Sequence, residues 1–194
     1  MHPLHTLTDG ELVTAYQQGN DTALELLIQR YKDRMYTSIY MLVKDRCLAE
    51  DLFQEAFLKI IRTIKAGNYS EQGKFLPWAM RVAHNLCMDH FRRSRQNIPV
   101  TLPDGRDISE LIPMSEGNAS DRIEQRQTGE KVREMIERLP DEQREVVTLR
   151  IYGEFSFKEI AEQTGVSINT ALGRMRYGLI NLRKMIEEKQ LVLR

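Results

Sequence analysis

The chain has 194 residues, 41% of them apolar and 29% charged, with 28 basic residues balanced by 28 acidic ones. That composition fits a globular protein and excludes a disordered, collagen-like or rod-like chain. No stretch approaches the roughly 18 apolar residues of a membrane span, no leader pattern opens the chain, and two cysteines, Cys47 and Cys87, cannot frame a disulfide scaffold. A reducing cytoplasm suits such a chain, with no membrane insertion of its own.

Net neutrality argues against a uniformly basic nucleic-acid binder but leaves local patches open. Charge is uneven along the chain: residues 99–127 carry a net −3, and no acid lies between Glu162 and Glu187.

In chain order, Thr8 and Glu11 form a capping box, with Leu7 and Leu12 placed to staple it. A second helix starts near Asp21, with Leu24, Leu27, Ile28, Tyr31, Met35, Ile39 and Leu42 inward. A third runs from about Cys47 to Lys65, and a fourth from near Pro77 to about Arg95. Pro99, Pro103 and Pro113, with the turn signals Asp104-Gly105 and Glu116-Gly117-Asn118, then mark a linker. Further helices are expected near 128–138, 141–152, 156–164 and 167–188. Nothing alternates at period two, so the fold class is all-α: two small helical domains, 1–96 and 127–194, joined by an acidic linker, 97–126.

Four segments carry more than fold. On the third helix, Leu52, Phe53, Ala56, Phe57, Ile60, Ile61 and Ile64 share an apolar face. Asp51, Gln54, Glu55, Leu58 and Arg62 share the opposite one, within roughly 100° of arc. An apolar residue amid charges reads either as a stray surface leucine or as the anchor of a protein-binding stripe.

Next, Tyr69, Phe75 and Trp78 crowd around Gly67, Gly73 and Pro77, and Arg81, Asn85 and Arg92 follow on one helical stripe. Rings beside a basic, amide-bearing stripe suit unpaired nucleic acid, where bases stack and arginines hold phosphates. The plainer reading makes the rings core and the arginines a solvated helix end. Within the same helix His84, Cys87 and His90 lie within about 120°, a conceivable metal face. A fourth ligand and a second cluster are lacking, so packing is the better account; no metal or cofactor is expected.

The strongest signal spans Phe155 to Ile186. Ser156 and Glu159 make a second capping box, Gly165 follows Ala161 by four residues, and Ser167 caps the next helix. This is helix-turn-helix spacing. In the second helix Ile168, Ala171, Leu172, Met175, Leu179, Leu182 and Ile186 are expected inward. Asn169, Thr170, Gly173, Arg174, Arg176 and Tyr177 are expected outward, as an acid-free face suited to a major groove. The alternative is an ordinary helical hairpin. No nucleophile with a base, phosphate loop or paired carboxylates forms a catalytic set, so no enzyme is expected.

This plan resembles the RNA polymerase sigma factors of the sigma-70 family, of the small extracytoplasmic-function type (group IV). The resemblance rests on Asp51-Leu52-Phe53-Gln54-Glu55-Ala56-Phe57, on Phe75-Leu76-Pro77-Trp78 running into Arg81-Val82-Ala83-His84-Asn85, on Leu139-Pro140, and on Phe157-Lys158-Glu159-Ile160-Ala161. It implies an alternative sigma factor that binds core RNA polymerase and promoter DNA and directs initiation. Asp51, Gln54, Glu55, Leu58 and Arg62 would dock the clamp helices of the largest subunit, and the flap of the second-largest subunit is a further contact. Asn68, Tyr69, Glu71, Gly73, Lys74 and Phe75 would form the loop that captures a flipped minus-ten base, flanked by Trp78, Arg81, Asn85, Arg92 and Arg93. Ser167, Asn169, Thr170, Gly173, Arg174, Arg176 and Tyr177 would read the minus-thirty-five element. The linker would thread toward the RNA exit channel. An anti-sigma factor is the other partner class implied, and the cytoplasmic nucleoid the place of action. Leu172, Gly173 and Tyr177 depart from the basic, serine and basic types common in the family, so base preference does not transfer. Competing classes are a stand-alone helix-turn-helix regulator, a DNA-acting enzyme with a helix-turn-helix tail, and a helical adaptor.

Overall fold

A computed structural model describes residues 7–70, 73–96 and 123–188. Among these residues there are eight helices: α1 (Asp9–Gln17), α2 (Asp21–Val43), α3 (Arg46–Lys65), α4 (Phe75–Gln96), α5 (Ile123–Glu137), α6 (Asp141–Ile151), α7 (Phe157–Thr164) and α8 (Ile168–Glu188). Most of the segment read as linker lies outside the described residues, and α5 begins inside its last four positions.

Local chemistry sets the helix ends. Both predicted capping boxes form: the Thr8 and Ser156 hydroxyls accept from the N–H groups of Glu11 and Glu159, whose carboxylates reach back to the cap N–H groups. Asp45 caps α3 by accepting from the Leu48 N–H at 2.8 Å. Gly165 ends α7 at φ +68°, a left-handed backbone that costs glycine nothing. Helix α4 starts two residues before Pro77, which still falls in the first turn, where its missing N–H has no intrahelical acceptor to lose.

Helices α1 to α4 pack as one bundle, with α2 central and touching α1, α3 and α4. Helices α5 to α8 pack as a second, around α6 and α8. Gly178 permits a close approach there: a Cβ on it would meet Val147 Cγ2 at 3.0 Å. The bundles also meet each other, chiefly through α2 and α6. Met41 of α2 is fully buried with Ile136, Leu139 and Val147 of the second bundle. The Arg144 guanidinium, buried at this seam, donates to the carbonyls of Met41 (2.7 Å) and Leu139 (2.9 Å) and to the Asp141 carboxylate (2.7 Å). Its charge is tolerated because several donors find acceptors.

Candidate nucleic-acid and polymerase interface

On α3, the apolar face divides as its spacing dictates: Leu52, Ala56, Ile60 and Ile64 are buried, and Phe53, Phe57 and Ile61 half-buried. Asp51, Gln54, Glu55 and Arg62 are exposed around Leu58, a leucine 52% exposed. The stripe is therefore a solvent-facing apolar point inside a charged rim, the anatomy of a protein-docking patch.

The start of α4 carries the aromatic cluster. Tyr69 lies 4.2 Å from Trp78 between ring centroids, and Phe75 sits about 6 Å from both. Tyr69 and Phe75 are buried and form the floor on which Trp78 rests, and Tyr69 still lines the cleft beside it. Phe75 is pinned further by Tyr31, 5.7 Å away. Trp78 stays half-exposed, and Arg81, Asn85, Arg92 and Arg93 are exposed along the following turns. Asn68, Lys74, Trp78 and Arg81 line a cleft of about 360 Å³, within the range of small-ligand sites. Glu71 lies outside the described residues. Asn68 and Lys74 are exposed, as is Gly73 next to Lys74 in the chain.

The histidines and thiol of α4 are otherwise occupied. His84, 2% exposed, accepts on Nδ1 from the Gln163 amide at 2.9 Å and donates from Nε2 to Glu145 at 2.8 Å, so its ring nitrogens are committed to protein partners. Burial pushes the Cys87 thiol up to about 12. Among the described residues no group of three His, Cys, Asp or Glu side chains gathers to hold a metal.

Helix α8 follows a turn capped by Ser167, whose hydroxyl accepts from the Thr170 N–H at 3.0 Å. Its packed face differs from the expected one. Ala171 and Gly178 are buried, while Ile168, Leu172 and Leu179, expected inward, are 43–50% exposed. The inner line runs through Ala171, Met175, Gly178 and Leu182, because only Gly178 lets the helix lie against Val147. This roll gives the two arginines different surroundings. Arg174 and Arg176 stand two positions apart, some 160° around the axis; Arg174 is half-buried near the packed side, whereas Arg176 is exposed. Asn169, Thr170 and Tyr177 are exposed as expected, Tyr177 at 62%, and Gly173 is half-buried between them.

Residues that sequence reasoning did not single out hold the bundles together. Arg34 on α2 donates to the Tyr152 carbonyl at 3.1 Å and pairs with Glu154 at 2.8 Å. Gln163 on α7 donates to Asn85 at 2.5 Å as well as to His84. Nothing in a single-chain periodicity marks Arg34, Arg144, Glu145 or Gln163; His84, noted for its spacing, was the one visible clue.

Residues 27–97 match the model for sigma-70 region 2, and residues 129–172 match that for sigma-70 region 4. The chain is 34% identical over 156 residues to the extracytoplasmic-function sigma factor BldN of Streptomyces coelicolor, covering 80% of this chain and 57% of that protein. It is 26% identical over 176 residues to SigW of Bacillus subtilis, covering 89% and 93% respectively. The fold superposes on the sigma factor RpoE of Bartonella quintana, solved with the anti-sigma factor NepR, at a TM-score of 0.61 and 17% identity, over 84% of this chain and 96% of that one. The chain belongs to the sigma-70 family, among the extracytoplasmic-function sigma factors.

Proposed function

We propose that the chain is an alternative sigma factor that docks core RNA polymerase through α3, holds the opened minus-ten strand at the start of α4 and reads the minus-thirty-five element with α8. Residues 1–96 would form the polymerase and minus-ten domain, and residues 127–194 the minus-thirty-five domain. The observation that carries this reading is the cleft at Trp78. A half-exposed ring on a buried aromatic floor, beside Arg81 and Asn85, offers a stacking surface to an unpaired base, and duplex DNA has no free ring face to place there.

The division of labour follows. Stacking at Trp78 supplies about 1–3 kcal/mol per base, against about 1.4 kcal/mol for each base step unstacked. One captured base therefore offsets part of the opening, and the polymerase supplies the rest. On α8, Asn169, Thr170, Gly173 and Tyr177 form the groove-facing line, with Arg176 beside it to reach a base edge or phosphate. Arg174 lies on the flank and is left to phosphate. An anti-sigma factor, the class of partner with which RpoE was solved, belongs to the same proposal. The site of action is the cytoplasm and, in holoenzyme, the nucleoid.

The test is co-purification with core polymerase followed by transcription over a library of promoter sequences. The expected result is a stable holoenzyme that starts at a defined subset. Glu55→Arg should cut core affinity by more than tenfold, because it reverses charge at the centre of the α3 stripe while leaving buried Ala56 untouched. Duplex binding without any polymerase association would favour a stand-alone helix-turn-helix regulator instead.

A further inference from the structure

Helix α8 shows solvent more hydrocarbon than a solvated helix needs. Leu172, Leu179 and Ile180 are 43–50% exposed. With the Phe157 ring of α7 they line a groove of about 490 Å³, whose charged members are Arg176 and Arg183. The Phe157 wall is held from behind. The Arg150 guanidinium lies 5.3 Å from its ring centre and donates to the Phe155 carbonyl at 2.7 Å. No acid lies between Glu162 and Glu187, so nothing on α8 before its last two residues offsets the arginines. An occupant must be apolar at one point and anionic around it.

Duplex DNA meets that description, and the roll of α8 favours it. Ala171 and Gly178 are buried and fix the inward line. At about 100° per residue, Asn169, Arg176 and Ile180 then point outward, with Leu172 about 70° to one side and Tyr177 about 70° to the other. Leu172 falls in the first two turns of α8, the part of a recognition helix that meets base edges. Leu179 and Ile180 lie about 10 Å further along the axis. In the major groove the apolar feature of a base edge is the C5-methyl of thymine. Adenine, guanine and cytosine present polar groups there, which a leucine would strip of water without replacing the hydrogen bond.

Resting on the proposed reading of the minus-thirty-five element by α8, we propose that Leu172 is a specificity-determining residue that packs on a thymine methyl of that element. Arg176 follows one turn later, about 6 Å along the axis, or about two base steps at 3.4 Å each. The element therefore contains an A·T pair within about two pairs of the position Arg176 contacts, and the strand that carries the thymine is fixed. Arg183, a further two turns on, is left to phosphate.

The experiment uses holoenzyme reconstituted from the full chain. Promoters recovered from the sequence library are resynthesised with uracil in place of one upstream-element thymine at a time, on either strand. Uracil pairs as thymine does and lacks only the C5-methyl. For the parent, one such replacement should weaken promoter binding about fourfold, the worth of one buried methyl-sized group, and the others should change little. Leu172→Ala, at an exposed position and with good helix propensity, should bind the thymine promoter at least about fourfold more weakly and no longer distinguish uracil from thymine at that position. An element of G·C pairs alone, no uracil-sensitive position in the parent, or a uracil effect that Leu172→Ala retains would overturn the methyl contact. So would a Leu172→Ala variant whose loss lies in affinity for core polymerase, which would give the groove to a protein partner. Indifference of the parent holoenzyme to every base change in the upstream element would instead sink the reading of that element by α8, so the two failures are distinguishable.

Discussion

In the proposed function helices α4 and α8 share a task in outline, presenting a polar face to DNA, but the fold treats them in opposite ways. The working face of α4 is backed by a buried aromatic floor and faces the other bundle, so its polar groups are spoken for by Glu159, Phe155 and Gln163. The working face of α8 is bare, with Tyr177 and the nearby Leu172, Leu179 and Ile180 all more than 40% exposed. A face that binds single strands is sticky toward any ring or anion and gains from being covered. A face that binds a duplex groove depends on shape and phosphate contacts, and can stay open.

Four measurements would break or sharpen that contrast. The largest effect should come from Trp78→Ala. Losing the stacking ring removes about 1–3 kcal/mol, so initiation should fall roughly ten- to a hundredfold on a duplex promoter and remain low on a pre-melted template, because base capture and not melting is lost. Full rescue by pre-melting would show that Trp78 serves melting alone.

Next, Arg176→Ala and Arg174→Ala should differ. If Arg176 reads a base edge, its loss costs roughly 1–3 kcal/mol at one base pair and relaxes selectivity there. Loss of Arg174 should weaken all sequences alike and by less. Equal, sequence-independent losses would put both side chains on phosphate.

A third test concerns the scaffold that positions α8. Gly153, buried in the turn between α6 and α7, has no room for a methyl group: a Cβ there would sit 2.7 Å from the Leu149 carbonyl oxygen, a backbone atom. Gly153→Ala should lower unfolding stability by about 1–3 kcal/mol in chemical denaturation. It should also weaken DNA binding by α8, since α7 and α8 follow that turn.

The smallest effect concerns acid. Hydrogen bonds from the Ser156 hydroxyl and N–H, with lesser help from Lys74, hold the Glu159 carboxyl at about 2, below its ordinary 4.5. A depressed folded value means the stabilisation is whole above pH 4.5 and fades as pH falls toward 2. Glu159→Gln should therefore melt slightly below the parent near neutrality and converge with it on acidification. A gap that persists unchanged at pH 2 would mean the charge contributes nothing.

How far the sequence carried the structure differs between the same two helices. At the α7–α8 turn, Ser156, Glu159, Gly165 and Ser167 act over three or four residues, and each does in the fold what its spacing predicts. On α3, a wide stripe of bulky aliphatics and rings makes the buried side unambiguous. The packed face of α8 was misread because a hydrophobicity pattern gives most weight to Leu172 and Leu179, while the contact that sets the helix roll is made by Gly178, which has no side chain to score. That Tyr69 lines the cleft from beneath was not legible, because a ring two residues past a glycine looks the same in sequence whether it stands in solvent or underlies another ring. The seam between the bundles was illegible for a different reason. Its polar members are residues that ordinarily mark a surface, and only the pairing of distant segments shows that Arg144 and His84 are interior.

That buried arginine bears on how long such a seam lasts once made. An interface closed only by interlocking hydrocarbon resists water at every step of its separation. Arg144 instead holds the carbonyl of Met41, an acceptor that a single water molecule can replace as soon as a gap appears, and its other bonds, to Leu139 and Asp141, lie within its own bundle and survive the parting. The guanidinium thus gives solvent a place to enter, and the seam yields like wet adhesion, re-forming without either bundle having to refold.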